Sequence, residues 1–356
     1  MQQRWEVAMA EPVRLSSRPG DLDALPAVAV HSPATPADFA AIVAAGEPAI
    51  LKGLFGAWPS LAAGMQSPAT LNAYFKRLDR GSPVPVMEAP ARHKGQFTYG
   101  PDLREFTFTK RQAPLGPTLD RIEGLIGQTD APTVAIQMLQ LASAMPDFVE
   151  QNPMPLLPAI GPRLWLGGAV HTRTHNDHDH NLACVIAGRR RFVLFPPDQI
   201  TNLYVGPLDN PPPLSLVDPE APGLARFPRY REAVAVARVA FLEPGDALFM
   251  PRYWWHHVTS LDPYNAMVNY WWGDSALGAG DPSDAFLTAL LAFKDLPPAE
   301  RNYWREMIAA FVFADRGDML SHIPAPLQGA LGPMTPARRV ALRQQLKSAL
   351  LKSSPQ

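Results

Sequence analysis

The chain has 356 residues, enough for one large domain or two ordinary ones, and its 47% hydrophobic and 18% charged residues mark it as globular rather than disordered. A formal net charge of -1 gives no cationic field to draw a nucleic acid or an acidic membrane surface. Cys184 is the only cysteine, which excludes an intramolecular disulfide and a multi-cysteine zinc site.

The opening run Met1-Gln2-Gln3-Arg4-Trp5-Glu6 has no basic segment leading into an apolar one, and no window is apolar for long enough to span a bilayer. A soluble, cytoplasmic protein without a membrane partner is the expectation. Thr35 as N-cap, Pro36 in the first turn and Gly46 as stop predict a helix. Pro48 to Gly53 reads as a short buried strand. Ser67-Pro68 opens a second helix through about Leu78, with Leu71, Tyr74, Phe75 and Leu78 on one face. Pro83-Val84-Pro85-Val86 reads as an edge strand, and the polar, Pro- and Gly-rich stretch 89–118 as a long excursion. The 40 prolines gather in connections such as Pro196-Pro197, Pro211-Pro212-Pro213 and Pro297-Pro298, which argues against long helices through most of the middle.

From about Ala131 the character changes. Runs rich in Val, Ile, Leu, Phe and Trp recur at 163–170, 182–187, 191–195, 237–242, 246–250, 256–260 and 265–272, and Gly188 reads as a tight hairpin turn. A parallel sheet would need helices between these runs, so the spacing predicts an antiparallel barrel or a double-sheet jelly roll. The segment 196–236 is too long for a hairpin and reads as a functional excursion near the barrel mouth. From Asp281 onward helices return: Phe286, Leu287, Leu290, Leu291 and Phe293 share one, and Trp304, Met307, Ile308, Phe311 and Val312 form a stripe on a second. The last, about 335–351, carries Arg338, Arg339, Arg343 and Lys347 and no acid. The organisation expected is a mainly β protein: N-terminal α/β elements over 1–130, a barrel over 131–280 and a C-terminal helical module over 281–356.

Of nine histidines, six fall in two places: His171, His175, His178 and His180 in one, His256 and His257 in the other. Residues two apart on a strand share a face, so His175 and Asp177 can reach one metal ion. A third ligand must come from a partner strand, and His256 opens a predicted one. Two imidazoles and one carboxylate are what a facial iron(II) site needs, leaving positions open for a co-substrate and dioxygen. Gly245, then Pro251, then a histidine five positions on resembles the second motif of cupin barrels, which selects His256 over His257. Tyr253 departs from that motif, which places glycine there. His178-x-His180 is an alternative pair, but no glutamate follows it before Gly188. Trp254, Trp255, Trp271 and Trp272 are expected to pack the barrel, with some lining its cavity.

Four stretches carry a family resemblance: His175 to Asn181, Gly188 to Gln199, Pro244 to His257 and Val268 to Trp271. Residues 163–273 resemble the cupin-like branch of the JmjC oxygenases, in pattern above all the asparaginyl hydroxylase that inhibits hypoxia-inducible factor. The resemblance implies a double-stranded β-helix, the cupin or jelly-roll barrel. It implies Fe(II) on His175, Asp177 and His256, with 2-oxoglutarate as co-substrate. The far carboxylate of that co-substrate would meet Arg190, where family members often carry lysine, and Thr172, which matches a family hydroxyl. Asn181 and Asn269 match amides near the metal and co-substrate. A family tyrosine expected upstream is missing, and Gln137 or its neighbours occupy that region. The activity implied is hydroxylation of a C–H bond on a protein or peptide substrate by a homodimer, with a small molecule or modified nucleoside as other substrates. The rival reading is a non-catalytic barrel that holds a metal or ligand and recruits a partner protein.

Overall fold

The computed structural model describes residues 21–33, 35–208, 213–273, 281–313 and 320–352. The run Met1 to Glu6 and the prolines Pro211 and Pro212 lie outside the described residues. The chain divides into two compact units, residues 1–273 and 274–356.

In the first unit, β1 (Ala29–His31) leads to α1 (Pro36–Ala45). Thr35 and Asp38 form a reciprocal capping box at the start of α1, and Gly46 ends it in the left-handed region at φ 67°. Strand β2 (Ala49–Lys52) follows, then α2 (Pro59–Gln66), a helix that the sequence pattern did not reveal, and α3 (Pro68–Leu78). Ser67 caps α3, which buries Leu71, Tyr74, Phe75 and Leu78 as its periodicity predicts. The next elements are β3 (Val84–Ala89), β4 (Gln96–Phe97), β5 (Thr109–Ala113), α4 (Leu115–Gly124) and β6 (Thr133–Gln140). The stretch 89–118 is therefore not one excursion; two strands and the start of a helix interrupt it. Nor is β3 an edge strand, since β5 and β6 flank it. Pro85 is tolerated because pairing with β6 begins only at Val86.

After two short helices, α5 (Leu141–Ala144) and α6 (Pro146–Gln151), come the barrel strands: β7 (Arg163–Gly167), β8 (His171–Asn176), β9 (His180–Ala187) and β10 (Arg190–Phe195). The chain then passes α7 (Tyr230–Ala235) and returns as β11 (Arg238–Leu242), β12 (Asp246–Met250), β13 (Trp255–Ser260) and β14 (Asn265–Trp272). The larger sheet runs β1-β2-β12-β9-β14-β7-β6-β3-β5, and the smaller runs β11-β10-β13-β8-β4. Strands β7 to β14 thus form two facing four-stranded layers, the jelly-roll barrel expected from the run spacing. Its interior packs Ala183, Val185, Phe192, Leu194, Leu248 and Val258.

Consecutive barrel strands change sheets except β10 and β11, which pair with each other. Gly188 does not close a hairpin, because β9 and β10 lie in different sheets. It turns a barrel corner at φ 68°, where an added Cβ would stand 2.3 Å from the Tyr264 carbonyl oxygen. The segment 196–236 covers the outer face of the smaller sheet: Leu203, Val217, Tyr230 and Ala233 bury against Val193, Phe195, Val239 and Trp255.

The second unit holds α8 (Pro282–Phe293), α9 (Pro298–Ile308) and α10 (Pro336–Lys352). Neither α8 nor α9 buries a residue fully. Among the described residues no helix is long and apolar enough to cross a membrane. Gly188→Ala should lower stability by about 2–4 kcal/mol, because left-handed strain and a backbone collision act together. A urea midpoint equal to that of the parent protein would refute the corner assignment.

Candidate metal centre

Strands β8 and β13 pair antiparallel, with His175 directly opposite His256. Opposite residues share a face, so both rings enter the barrel, their centroids 4.3 Å apart. Asp177 stands one residue beyond the end of β8 and keeps the same alternation. One ligand atom each from His175, Asp177 and His256 can be chosen with all three within 4.8 Å of one another. The donor set, two nitrogens and a carboxylate oxygen, suits a divalent first-row metal such as Fe(II).

Each histidine is held by its inner ring nitrogen. His175 Nδ1 donates to the Arg173 carbonyl at 2.9 Å, and His256 Nδ1 donates to the Trp254 carbonyl at 3.1 Å. A carbonyl only accepts, which places the proton on Nδ1 and leaves Nε2 as a bare donor atom. Burial, with His175 adding to it, lowers the His256 pKa to about 4, so this ring stays neutral as a ligand should. His256 Nε2 lies 3.7 Å from Asp177 Oδ2.

A polar chain orients that carboxylate. The Trp165 indole N–H donates to Asn269 Oδ1 at 2.9 Å, Asn269 Nδ2 donates to Asn181 Oδ1 at 3.3 Å, and Asn181 Nδ2 reaches Asp177 Oδ2 at 3.5 Å. An indole can only donate, so it fixes which end of each amide faces the next, and an N–H arrives at Asp177. Sequence reasoning missed Trp165 in this role. The sequence shows both runs as strands but not that they are neighbours; the pairing of β7 with β14 brings Trp165 and Asn269 together.

Thr172 and His175 are three apart and would face opposite sides of a regular strand. The β8–β13 register shifts between His256 and Val258, leaving His257 opposite both Arg173 and Thr174. This bulge lets Thr172 rejoin the inner face. There it lines a cavity of about 30 Å³ with Gln137, Trp165, Arg190 and Ser260, room for a couple of water-sized groups. Gln137 reaches the cavity through a second irregularity, where β6 shifts register against β7 and Met138 takes φ 59°.

Strand alternation divides the three arginines. Arg189 lies outside on Asp262 at 2.8 Å, and Arg191 pairs on the other face with Asp23 and Glu220. Arg190 points inward, and burial lowers its pKa to about 10. No acid pairs with it among the described residues, and its Nε has no hydrogen-bond partner. An orphaned buried guanidinium fits the carboxylate of a ligand.

The remaining histidines separate. His180 lies outside the barrel against Phe249 and Trp272, with ring centroids at 5.7 and 5.4 Å. His171 and His257 lie on the outer face of the smaller sheet, and burial pulls both pKa values down. His178 lies 5.6 Å from the Tyr253 ring. Of the four tryptophans, Trp255 and Trp272 pack outside, Trp254 joins the barrel-interior cluster, and Trp271 faces inward beside Trp165.

Tyr253 explains its own departure from the motif. It adopts φ 69°, the left-handed conformation that glycine takes easily. Its N–H donates to the Asp177 backbone carbonyl at 2.8 Å, tying the turn before His256 to the main chain at Asp177.

The family described as a cupin-like domain matches residues 36–277. Human HSPB1-associated protein 1 is 39% identical over 112 residues, 30% of this chain and 22% of its own length. The Arabidopsis thaliana lysine-specific demethylase JMJ31 is 32% identical over 141 residues, 39% of this chain and 25% of its own. The human bifunctional peptidase and (3S)-lysyl hydroxylase JMJD7 is 30% identical over 193 residues, 46% of this chain and 60% of its own. The chain therefore spans less than two thirds of each of these relatives.

Because the turn at Tyr253 needs a left-handed residue, Tyr253→Gly should hold stability within about 1 kcal/mol of the parent, while β-branched Tyr253→Val should lose about 2 kcal/mol or more. Thermal unfolding of the two variants side by side checks this, and equal midpoints would refute it.

Proposed function

The chain belongs to the cupin-like domain family, and from that premise we propose that it is an Fe(II)- and 2-oxoglutarate-dependent oxygenase that hydroxylates a C–H bond on a protein side chain. The observation that carries this reading is the mutual reach of His175, Asp177 and His256, with both histidines tautomerically prepared. These three would hold the iron. Arg190 and Thr172 would receive the far carboxylate of the co-substrate, and Asn181 and Asn269 would border it. When bound, iron and co-substrate supply dioxygen activation, with decarboxylation to succinate providing the electrons.

The protein's own part is positional. Carbonyls aim the two imidazoles, and the Trp165–Asn269–Asn181 chain orients Asp177. Arg190 replaces the lysine often found in the family, and its planar fork can grip a carboxylate through two parallel bonds. The barrel walls around it exclude water, which strengthens the grip.

The lysyl hydroxylase name of the human relative supports an amino-acid side chain as target. The demethylase name of the plant relative supports the same chemistry at an N-methyl carbon. The narrower likeness to the asparaginyl hydroxylase rests on the motif stretches. A second reading, a binding barrel without turnover, draws on the relative named as an associated protein. The C-terminal unit fits a homodimerisation module, since Phe286, Leu287 and Leu291 are 50, 57 and 79% exposed. A cytoplasmic location goes with this reading.

Anaerobic titration with Fe(II) and 2-oxoglutarate should produce a weak visible charge-transfer band that His175→Ala abolishes. Arg190→Met should keep metal binding and weaken 2-oxoglutarate roughly 10- to 100-fold, the loss expected for a charge-assisted bond. No band and no succinate would leave the binding-barrel reading standing instead. Deleting residues 281–356 should yield a monomer by light scattering, and an unchanged mass would remove the dimerisation role.

A further inference from the structure

The inner face of the barrel carries a second cation that neither the triad nor the co-substrate cavity uses. Arg163 opens β7 directly opposite Asn269 on β14, and Trp271 on β14 lies directly opposite Asn181 on β9. Opposite residues share a face, so Arg163 and Trp271 stand in the same layer as the two asparagines that lead to Asp177. The Arg163 guanidinium lies over the Trp271 ring at 4.8 Å from its centroid, and Trp165 backs the pair at 5.9 Å.

What sets this shelf apart is its surplus of donors. Arg163 Nε and Trp271 Nε1 are both buried and without an acceptor, and no acid pairs with Arg163 among the described residues. Trp165, by contrast, has already spent its N–H on Asn269. The cation–π contact holds the guanidinium over the ring before any ligand arrives, so little rotamer freedom is lost on binding. A group that satisfies the shelf must bring acceptors, and a cation favours acceptors bearing negative charge. A planar carboxylate matches the guanidinium edge with two oxygens.

We propose that Arg163 and Trp271 form a substrate-anchoring subsite for the carboxylate of an aspartate or glutamate side chain, flanking the residue to be modified in a protein substrate. The proposal rests on the oxygenase reading for what happens next to that anchor, and it stands on its own for what the anchor binds. A nucleic-acid substrate is disfavoured: a polyanion is held by many cations in series, and the net charge of -1 supplies no such field.

The test is selection from a positional-scanning peptide library by the immobilised 356-residue chain loaded with Mn(II) and 2-oxoglutarate. The parent should enrich Asp and Glu at one position at least tenfold over Asn and Gln. Arg163→Gln should lose that preference, Arg163→Lys should keep part of it, and Arg163→Glu should turn it towards Lys and Arg. No acidic preference in the parent, or one unchanged in Arg163→Gln, overturns the proposal. Loss in Arg163→Gln of binding to a single-stranded RNA probe, with no peptide selection, overturns it in favour of a phosphate ligand. The charge-transfer band with Fe(II) and 2-oxoglutarate, recorded on each variant, shows that the barrel is intact. Its absence from the parent counts against the oxygenase reading, while peptide selection still decides the anchor.

Discussion

The pairing of β8 with β13 is the constraint on which the site depends. It sets His175 against His256, and its register shift between His256 and Val258 decides everything on either side. Without the shift, Thr172 would face away from the barrel and the cavity around Arg190 would lose its hydroxyl. With it, the candidate ligand His175 and the cavity residue Thr172, both on β8, share a single interior. A one-residue slip in a β ladder normally exchanges the faces of a whole strand. Here the bulge at Arg173 and Thr174 changes the phase only for the first half of β8, so Thr172 turns inward while His171 and Arg173 keep their packing on the outer face.

The outer face of the same sheet shows why such a strand can be held still. Arg173 pairs with Asp218 at 3.1 Å, and Arg191 pairs with Asp23 and Glu220, so the segment 196–236 is bound by charge as well as by Leu203, Val217 and Tyr230. The Thr174 carbonyl also accepts from the Ser215 backbone at 2.8 Å. The strand carrying His175 is therefore anchored from behind by the segment 196–236. Rigidity of this kind matters at a metal site, where sub-ångström placement of each ligand governs affinity.

Much of this was legible in the sequence, for identifiable reasons. Alternation between short apolar runs gave away the barrel strands, and the i, i+2 spacing of His175 and Asp177 showed their common face. The Arg189-Arg190-Arg191 run could be sorted by parity alone, and the structure sorts it the same way. What stayed hidden was long-range. Gly188 looks like a hairpin turn because sequence shows a break between strands and not which sheet each joins. Pro85 signals an edge, yet the edge property belongs to one residue of β3 and not to the strand. Tyr253 reads as a departure from a glycine position, whereas backbone contact with Asp177 holds it in the glycine conformation. Helix α2 has weak amphipathic spacing, and only burial of Leu61 and Ala63 against the larger sheet makes it a helix of the core.

The distribution of unsatisfied polar atoms separates packing from function. Native proteins leave few buried donors unpaired, so those that remain need a reason. On the outer face of the smaller sheet, orphaned atoms of Arg173, Arg191 and His171 sit among Asp218 and Glu220, and acids already balance the charge. On the inner face the orphaned donors are Arg163 Nε, Arg190 Nε and Trp271 Nε1, beside one orphaned acceptor, Asn265 Oδ1. Of the acids on that face, Asp177 belongs to the triad and Asp246 is already paired with Lys52 at 2.5 Å. A folded core gains nothing from such an imbalance, because an unpaired buried cation destabilises it. A barrel that must receive carboxylates gains from it directly: the desolvation is already incurred in the free protein, and each arriving anion recovers it. That imbalance is what the proposed co-substrate and substrate carboxylates would meet, at two arginines on different strands.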